Sequence, residues 1–293
     1  MSNLSADRFV ESTAPSRSGL AQFVRRNPTI FAGGAMMLMV VALAILAPLV
    51  AGYNPLDIAP GQRMRPPSFA HYFGTDALGR DVFARTLWGG RISLLVAVGV
   101  ASLSTTIGLA LGLVSGFFRA LDAIIMRVMD GLMAIPAILI AIAIATVSRA
   151  SIATVVVAIT IPEIPRVVRL VRSLVLSIRE QPYIEAAISL GTRRGRILAR
   201  HVLPNVLTPL TVQATFVCAS AVIVEAYLSF LGAGTPPEIP SWGNIMAEGR
   251  RVIQLGSWVL LYPGLFLGAT VLSINLVGDG LRELLDPRIA SRM

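Results

Sequence analysis

The chain has 293 residues, of which 55% are hydrophobic and only 14% are charged, and its mean hydropathy is +0.73. A soluble domain carries about 25% charged residues, so this chain cannot cover its own surface in water, and the composition predicts an integral membrane protein. All 25 basic side chains are arginines, which leaves a net charge of +9 and excludes a P-loop lysine, a Schiff-base lysine or a lysine general base.

Six apolar stretches are long enough to cross a hydrocarbon core about 30 Å thick, which takes roughly 20 helical residues. The fourth is the weakest, because Pro162, Glu163, Pro165, Arg166 and Arg169 interrupt it. Glycines spaced along the second favour close contacts between helices. The sequence therefore predicts an all-α, polytopic membrane protein with about six transmembrane helices. In chain order the predicted spans are residues 29–50, 92–118, 124–147, 152–171, 206–231 and 258–277.

The distribution of arginine predicts the orientation of these spans. With the N-terminus inside, 17 of the 25 arginines fall on inner segments and 8 on outer segments. Because cytoplasmic loops carry the excess of basic residues, both termini are expected in the cytoplasm, and an even number of spans agrees. This topology explains the basic excess without nucleic acid, so no nucleic-acid partner is expected.

The spans divide the chain into four predicted segments. Residues 1–28 form a cytoplasmic tail, 29–91 the first transmembrane helix with an outer segment, 92–280 a core with five spans, and 281–293 a second cytoplasmic tail. The outer segments 51–91 and 232–257 are expected to cover the outer mouth, with simple connecting loops as the alternative. Ser241 is predicted to cap a short helix through Arg251. Trp88, Trp242 and Trp258 fall at outer boundaries, where aromatic anchors belong.

A few polar residues stand out within the apolar stretches. Glu225 lies near the outer end of the fifth span, where bonding between helices or snorkelling is favoured over substrate contact. Arg127 and Asp130, three residues apart, are predicted to pair on one helical face. Cys218 is expected to be a small packing residue. No cysteine, histidine and carboxylate set has metal-ligand spacing, so neither a metal site nor a catalytic residue is expected.

The inner loop 180–204, between the fourth and fifth spans, predicts a helix–turn–helix. Pro182 suits the first turn of a short helix, since its missing N–H is not needed there. Glu185 lies near the positive end of that helix. Gly191 is placed to end it with a positive φ. Thr192 is then predicted to cap a second, arginine-rich helix that ends at Leu203-Pro204. A solvated basic loop is the alternative.

The residues Glu185-Ala186-Ala187, Gly191 and Leu203-Pro204 resemble the EAA loop of ABC importer permeases in identity and spacing. Other segments resemble the dipeptide, oligopeptide and nickel branch of that family, in the same order along the chain. Residues 161–165 depart locally, since the family leads us to expect aromatic side chains there. The matching segments are residues 73–81, 201–205, 228–232, 240–243, 275–282 and 285–288.

The resemblance implies the type I ABC importer permease fold and the second (C-type) membrane subunit of a dipeptide or oligopeptide importer in the cell inner membrane. Its partners would be a second homologous permease subunit, two ABC ATPase subunits and an extracytoplasmic solute-binding protein. ATP would be used by the ATPase subunits, and this chain would bind no cofactor and would not be an enzyme. Nickel, glutathione or a sugar is the alternative substrate, because related permeases serve those. The loop would dock in a cleft of the ATPase through Glu185, Ala186, Ala187, Gly191, Leu203 and Pro204.

Overall fold

A computed structural model describes residues 28–285, and over these it is helical apart from loops and one isolated bridge between Thr75 and Asp81. The expectations for residues 1–27 and 286–293, which include most of both tails, lie outside the described residues. The predicted all-α class is confirmed. In chain order the main helices are α1 (Pro28–Ile45), α2 (Val82–Phe117), α3 (Arg119–Met133), α4 (Ala137–Val147), α5 (Ile152–Arg179), α6 (Pro182–Ser189), α7 (Arg194–Phe230), α8 (Trp242–Arg251) and α9 (Trp258–Leu285). Two short turns of helix, Ala47–Val50 and Pro60–Gln62, lie between α1 and α2.

Four of the described helices, α1, α2, α7 and α9, are each long and apolar enough to cross a bilayer. The predicted third span is broken instead, because α3 and α4 meet at a bend of 85°. Pro136 explains the break, since it has no N–H to donate and disfavours helical geometry at Ile135 before it. If the bent pair counts as one span, the described residues hold five candidates, so the predicted number of six is approximate.

The predicted fourth span is one continuous helix, α5, although Pro162 and Pro165 lie inside it. Ser151 caps its start by accepting a hydrogen bond from the backbone N–H of Thr154 at 3.1 Å. α5 carries too many charged residues to count among the helices apolar enough to cross a membrane. It nevertheless packs at the centre of the bundle against α2, α4 and α7. Its buried face is rich in valine, so neighbouring helices rather than lipid shield it.

Glycines of α2 face valines of α5 along the most extensive helix contact in the bundle. A Cβ placed on Gly112 would lie 2.6 Å from the Cβ of Val171, closer than real Cβ atoms approach. The predicted close approach at the glycines of the second span is therefore confirmed, and it is the small-residue packing that brings membrane helices together. The same fit recurs one helical turn to either side, at Gly108 with Val167 and at Gly116 with Val175.

The other long helices complete the bundle around α2. α1 packs along α9, where Gly33 lets the two backbones approach, since a Cβ there would lie 2.6 Å from the Cβ of Leu276. α7 packs against both α2 and α9, and α8 lies across the first turns of α9. The main hydrophobic core is therefore shared by α2, α5 and α7, with α1 and α9 at its edge.

The predicted outer segments form a folded cap, which we define as residues 51–81 together with α8. Asp76 and Arg85 are each 1% exposed, and an Arg85 Nη1 to Asp76 Oδ2 contact of 2.6 Å joins them. Glu248 of α8 accepts from Arg85 at 2.5 and 3.0 Å and from Arg80 at 2.5 Å. Removing one partner of such a buried pair costs about 3–5 kcal/mol, so this cluster ties α8 firmly to the start of α2.

Ser241 caps α8 as predicted, because its hydroxyl accepts from the backbone N–H of Asn244 at 3.2 Å and the helix ends at Arg251. The interpretation of Trp242 as an aromatic anchor is wrong. Its ring is buried in the cap, and its Nε1 donates to the carbonyl of Thr86 at 3.0 Å. An indole in this position fixes the cap on α2 rather than marking the membrane boundary.

Candidate functional site

The inner loop contains the short helix α6, which begins at Pro182 as predicted. Gln181 precedes it in an extended conformation, and no side chain caps the helix, so Pro182 starts it through its fixed φ alone. Glu185 lies in the first turn and is exposed, with its carboxylate near the positive end of the helix. The first arm of the loop is therefore built as the sequence indicates.

Gly191 ends α6 with a φ of +75°, and the prediction of a positive φ is confirmed. The N–H of Gly191 donates to the carbonyl of Ile188 at 2.9 Å, and the N–H of Thr192 donates to the carbonyl of Ala187 at 3.1 Å. These two bonds form a Schellman motif, which satisfies carbonyls that the helix end leaves without partners. A Cβ on Gly191 would meet no atom within 4 Å, so the requirement for glycine is conformational rather than steric.

The predicted second helix differs from the structure at both ends. Thr192 does not cap it; the helix begins at Arg194, and Arg193 occupies the capping position without a side-chain bond. Nor does it stop at Leu203-Pro204, because it continues as α7 to Phe230. A π-helical turn over Leu198–Val202 explains the continuity. The wider turn accommodates Pro204, which has no N–H and would crowd the carbonyl four residues earlier.

The predicted coupling residues fall on two elements. Glu185, Ala186 and Gly191 are exposed on α6 and its C-terminal turn, whereas Ala187 is half-buried and packs inward. Leu203 and Pro204 belong to α7, beyond the π-helical turn. The structure thus brings four of the six residues into one short segment and places the other two at the foot of the next long helix.

The sequence did not lead us to predict an exposed apolar stripe along α6. Tyr183, Ala186 and Leu190 recur at helical spacing, and the Leu190 side chain is 85% exposed. On the other side of the loop, Ile184 and Ile197 are each 1% exposed and hold α6 against the bundle. A rigidly anchored helix that presents apolar side chains to solvent is typical of a protein-docking surface. The 3.6-residue spacing was the signal that could have found it.

Ion pairs between α3 and α5 fix the bundle next to this loop. Arg172 donates to Asp122 through two contacts of 2.5 and 2.7 Å. Arg169 donates to Asp130 at 2.7 Å, so the predicted pairing of Asp130 with Arg127 on one helix is wrong. The guanidinium that reaches Asp130 comes from α5 and not from its own helix. Hydropathy and spacing within one helix do not reveal such a pairing.

Two buried carboxylates lie within the helical bundle. Glu225 of α7 is fully buried and accepts from Ser93 of α2 at 3.1 Å and from Ser229 at 2.9 Å. This confirms the role in bonding between helices. Glu163 of α5, noted in the sequence only as an interruption, accepts from Ser220 of α7 at 3.3 Å. Both acids therefore connect α7 to its neighbours, and no group of three or more histidine, cysteine or acidic side chains with metal-binding geometry occurs within residues 28–285.

Comparison with known proteins identifies relatives over most of the chain. Residues 104–291 match the family described as the inner membrane component of binding-protein-dependent transport systems. A probable peptide ABC transporter permease protein of Sinorhizobium fredii is 49% identical over 273 residues, covering 93% of this chain and 94% of the relative. A dipeptide transport system permease protein of Alkalihalophilus pseudofirmus is 38% identical over 281 residues, covering 96% of this chain and 92% of the relative.

The fold also resembles that of a solved transporter. A chain of the MetNI methionine ABC transporter in an inward-facing conformation superimposes with a TM-score of 0.58 at 21% identity. The superposition covers 69% of this chain and 96% of that chain. At this level of identity the likeness concerns the fold, and it agrees with the importer permease fold that the sequence predicted.

Proposed function

Because the chain belongs to the family of inner membrane components of binding-protein-dependent transport systems, we propose that it is a permease subunit of an ABC importer for peptides. The names of the relatives in Sinorhizobium fredii and Alkalihalophilus pseudofirmus support peptides as the substrate class. The chain would form part of the path through the cell inner membrane, together with a second homologous permease subunit. An extracytoplasmic solute-binding protein would deliver the peptide.

Hydrolysis of ATP would take place on two partner ATPase subunits. The chain has no lysine, and a P-loop uses a lysine to hold the phosphates of ATP, so the energy must come from another chain. This chain would then bind no cofactor and would not act as an enzyme. The single observation that carries the proposal is the match of residues 104–291 to this family, and the Schellman-terminated helix α6, anchored by Ile184 and displaying Leu190 to solvent, supports it.

We infer that α6 is the element that docks on the ATPase. Its exposed stripe of Tyr183, Ala186 and Leu190 offers apolar contact, and Ala186 lets a partner backbone approach closely. Glu185 and Gly191 would direct the helix, while Leu203 and Pro204 would hold the foot of α7 beneath it. Movement of the ATPase subunits would then reach the bundle through α6 and α7.

The stripe can be tested with a charge. Leu190→Asp is expected to reduce co-purification of the ATPase subunits by roughly tenfold, because a buried charge in an apolar contact costs more than 1.4 kcal/mol. The measurement is the amount of ATPase that purifies with tagged chain from membranes. The matched control is Leu255→Asp, on a side chain that is 71% exposed in the predicted outer segment. Equal loss in both variants, or loss in neither, would contradict docking through α6.

Orientation follows from the arginine distribution and needs its own test. Phe69 is fully exposed in the cap. In a Cys218→Ser background, the cysteine of a Phe69→Cys variant is expected to react with a membrane-impermeant maleimide in intact cells. The cysteine of an Arg193→Cys variant is expected to react only after the membrane is permeabilised. This result would place both ends of the chain in the cytoplasm. Labelling of the Arg193 site from outside would reverse the proposed topology.

A further inference from the structure

A pocket of about 600 Å³ lies between α6, the corner that joins α2 to α3, and the first turn of α7. It is separate from the exposed stripe of α6, because its wall uses the neighbouring face of that helix. Most of the wall is apolar, and none of the side chains that line it is acidic. The residues on which the argument depends are Arg119, Arg179 and Arg194 among the basic ones, and Phe117, Ile184 and Ile188 among the apolar ones.

Within residues 28–285 no acidic side chain pairs with the arginines of this pocket. Within residues 28–285, Arg119 and Arg194 have neither an ion pair nor a side-chain hydrogen bond. Arg179 donates only to a backbone carbonyl, at 2.8 Å. The nearest acid on α3, Asp122, is already held by Arg172 through two contacts and lies outside the pocket wall. Three exposed arginines therefore line a space that has no acidic side chain in its described wall. Asp122 and Glu180 line an adjoining pocket together with Arg119 and Arg179, and neither acid pairs with these two arginines.

The first residues of two helices also line this space. α3 begins at Arg119 and α7 begins at Arg194, and neither start has a side-chain cap. The first N–H groups of both helices therefore lack partners in the helix, and each start carries a partial positive charge. Backbone N–H groups combined with guanidinium forks are the donors that bind phosphate in proteins. The donors along this wall therefore match those of a phosphate site.

The position of the pocket selects among phosphate-bearing ligands. α2 ends at Phe117, at the inner end of the predicted second span, and Phe118 after it is exposed. The Arg179 guanidinium lies over the Phe117 ring, 5.5 Å from its centroid. The inner end of a membrane span is expected at the depth of lipid headgroups, and basic pockets between helices on the cytoplasmic side bind anionic headgroups. An apolar wall beside the arginines suits a glycerol backbone and the start of acyl chains, but not a free phosphate ion.

We propose that this pocket, between α6 and the α2–α3 corner, binds the headgroup of an anionic phospholipid at the inner membrane surface. The phosphate would lie among Arg119, Arg179 and Arg194, and the glycerol and upper acyl carbons would contact Ile188 and Phe117. A bound lipid would neutralise the three arginines and brace α6 against the α2–α3 corner. The proposal relies on the proposed function only for placing α6 at the inner surface.

The test measures lipid binding to the assembled transporter in nanodiscs of phosphatidylcholine with increasing phosphatidylglycerol. Retained phosphatidylglycerol is counted by native mass spectrometry without ATP. The double variant Arg119→Gln/Arg194→Gln is expected to bind phosphatidylglycerol at least tenfold more weakly, since each arginine near a membrane surface contributes roughly a fivefold change in affinity. The matched control Arg127→Gln/Arg196→Gln removes the same charge from the same helices outside the pocket and is expected to bind like the parent.

Three results would overturn the proposal. Equal loss of phosphatidylglycerol in both double variants would mean that the basic surface attracts lipid without a site. Displacement of the lipid by inorganic phosphate at similar concentration would mean that the pocket takes a free anion. If the pocket variant binds phosphatidylglycerol normally but loses the ATPase subunits in pure phosphatidylcholine, an acidic segment of the ATPase occupies the pocket. Because lipid counting needs no transport, these failures are distinct from a failure of the importer assignment.

Discussion

Gly191→Val is expected to insert into the membrane at the parent's level and to lose most ATP-driven peptide uptake. Gly191 has a φ of +75°, which L-residues reach only at a cost of roughly 1–2 kcal/mol and β-branched residues reach least easily. A valine would therefore lower the population of the Schellman geometry, relative to other conformations of the turn, by about 5–30-fold. α6 and the start of α7 would lose their relative direction, while the spans themselves would be untouched.

The controls separate conformation from bulk at this turn. Gly191→Asn is expected to retain most uptake, because asparagine tolerates the left-handed region better than other side-chain-bearing residues. Gly195→Val adds the same side chain four residues later, where the backbone φ is ordinary and a Cβ would meet no atom within 4 Å. It is expected to transport like the parent. If Gly191→Val binds the ATPase subunits and transports normally, α6 is not the coupling element.

Gly112→Leu is expected to prevent assembly of the bundle, with little folded protein in the membrane. A Cβ on Gly112 would lie 2.6 Å from the Cβ of Val171 and 3.0 Å from the carbonyl oxygen of Val168. The helices α2 and α5 would have to separate along their most extensive contact. Overpacking of this kind typically costs 1–3 kcal/mol, and more where backbone atoms block the space. The measurement is the monodisperse yield and thermal aggregation temperature in detergent.

Matched variants make this result specific. Gly268→Leu places the same side chain on α9, where a Cβ would meet no atom within 4 Å, and is expected to leave the yield unchanged. Gly112→Ala/Val171→Gly exchanges the small and large positions across the contact and is expected to regain part of the yield lost by Gly112→Ala. A parent-like yield of Gly112→Leu would mean that α2 and α5 do not meet at this face.

The elements that the sequence predicted well are those set by local chemistry. Pro182 and Gly191 define the two ends of α6 because one fixes φ and the other permits a positive φ, and both act within a few residues. Ser241 caps α8 for the same local reason. Four long apolar helices follow directly from the composition of their segments. None of these predictions needed a partner from elsewhere in the chain.

The elements that the sequence missed depend on contacts between helices. The 85° bend at Pro136 lies in an apolar stretch whose hydropathy is the same for a straight or a broken helix. Asp130 pairs with Arg169 because α3 faces α5, which spacing along one helix does not reveal. The burial of Trp242 requires the folded cap. The glycines of α2 indicated one half of the contact with α5 in the sequence, whereas the valines opposite them were not predicted as their partners.

The candidate site divides in the same way. The identities and spacing of Glu185, Ala186 and Gly191 indicated the loop, and the turn geometry agrees with them. The continuation of the second helix through Pro204 was missed, because a proline usually ends or kinks a helix and only the π-helical turn explains its accommodation. The exposure of Leu190 required knowledge of which face the bundle covers.

Uptake by a reconstituted transporter tests the central claim most directly, namely that this chain is a membrane subunit driven by ATP hydrolysis on other subunits. Proteoliposomes would contain this chain, its partner permease and the two ATPase subunits, with the solute-binding protein and a radiolabelled dipeptide on the outer side. We expect uptake that requires ATP on the ATPase side and falls to background when the ATPase subunits are omitted. ATP hydrolysis by the purified chain alone, or equal uptake without the ATPase subunits, would contradict it.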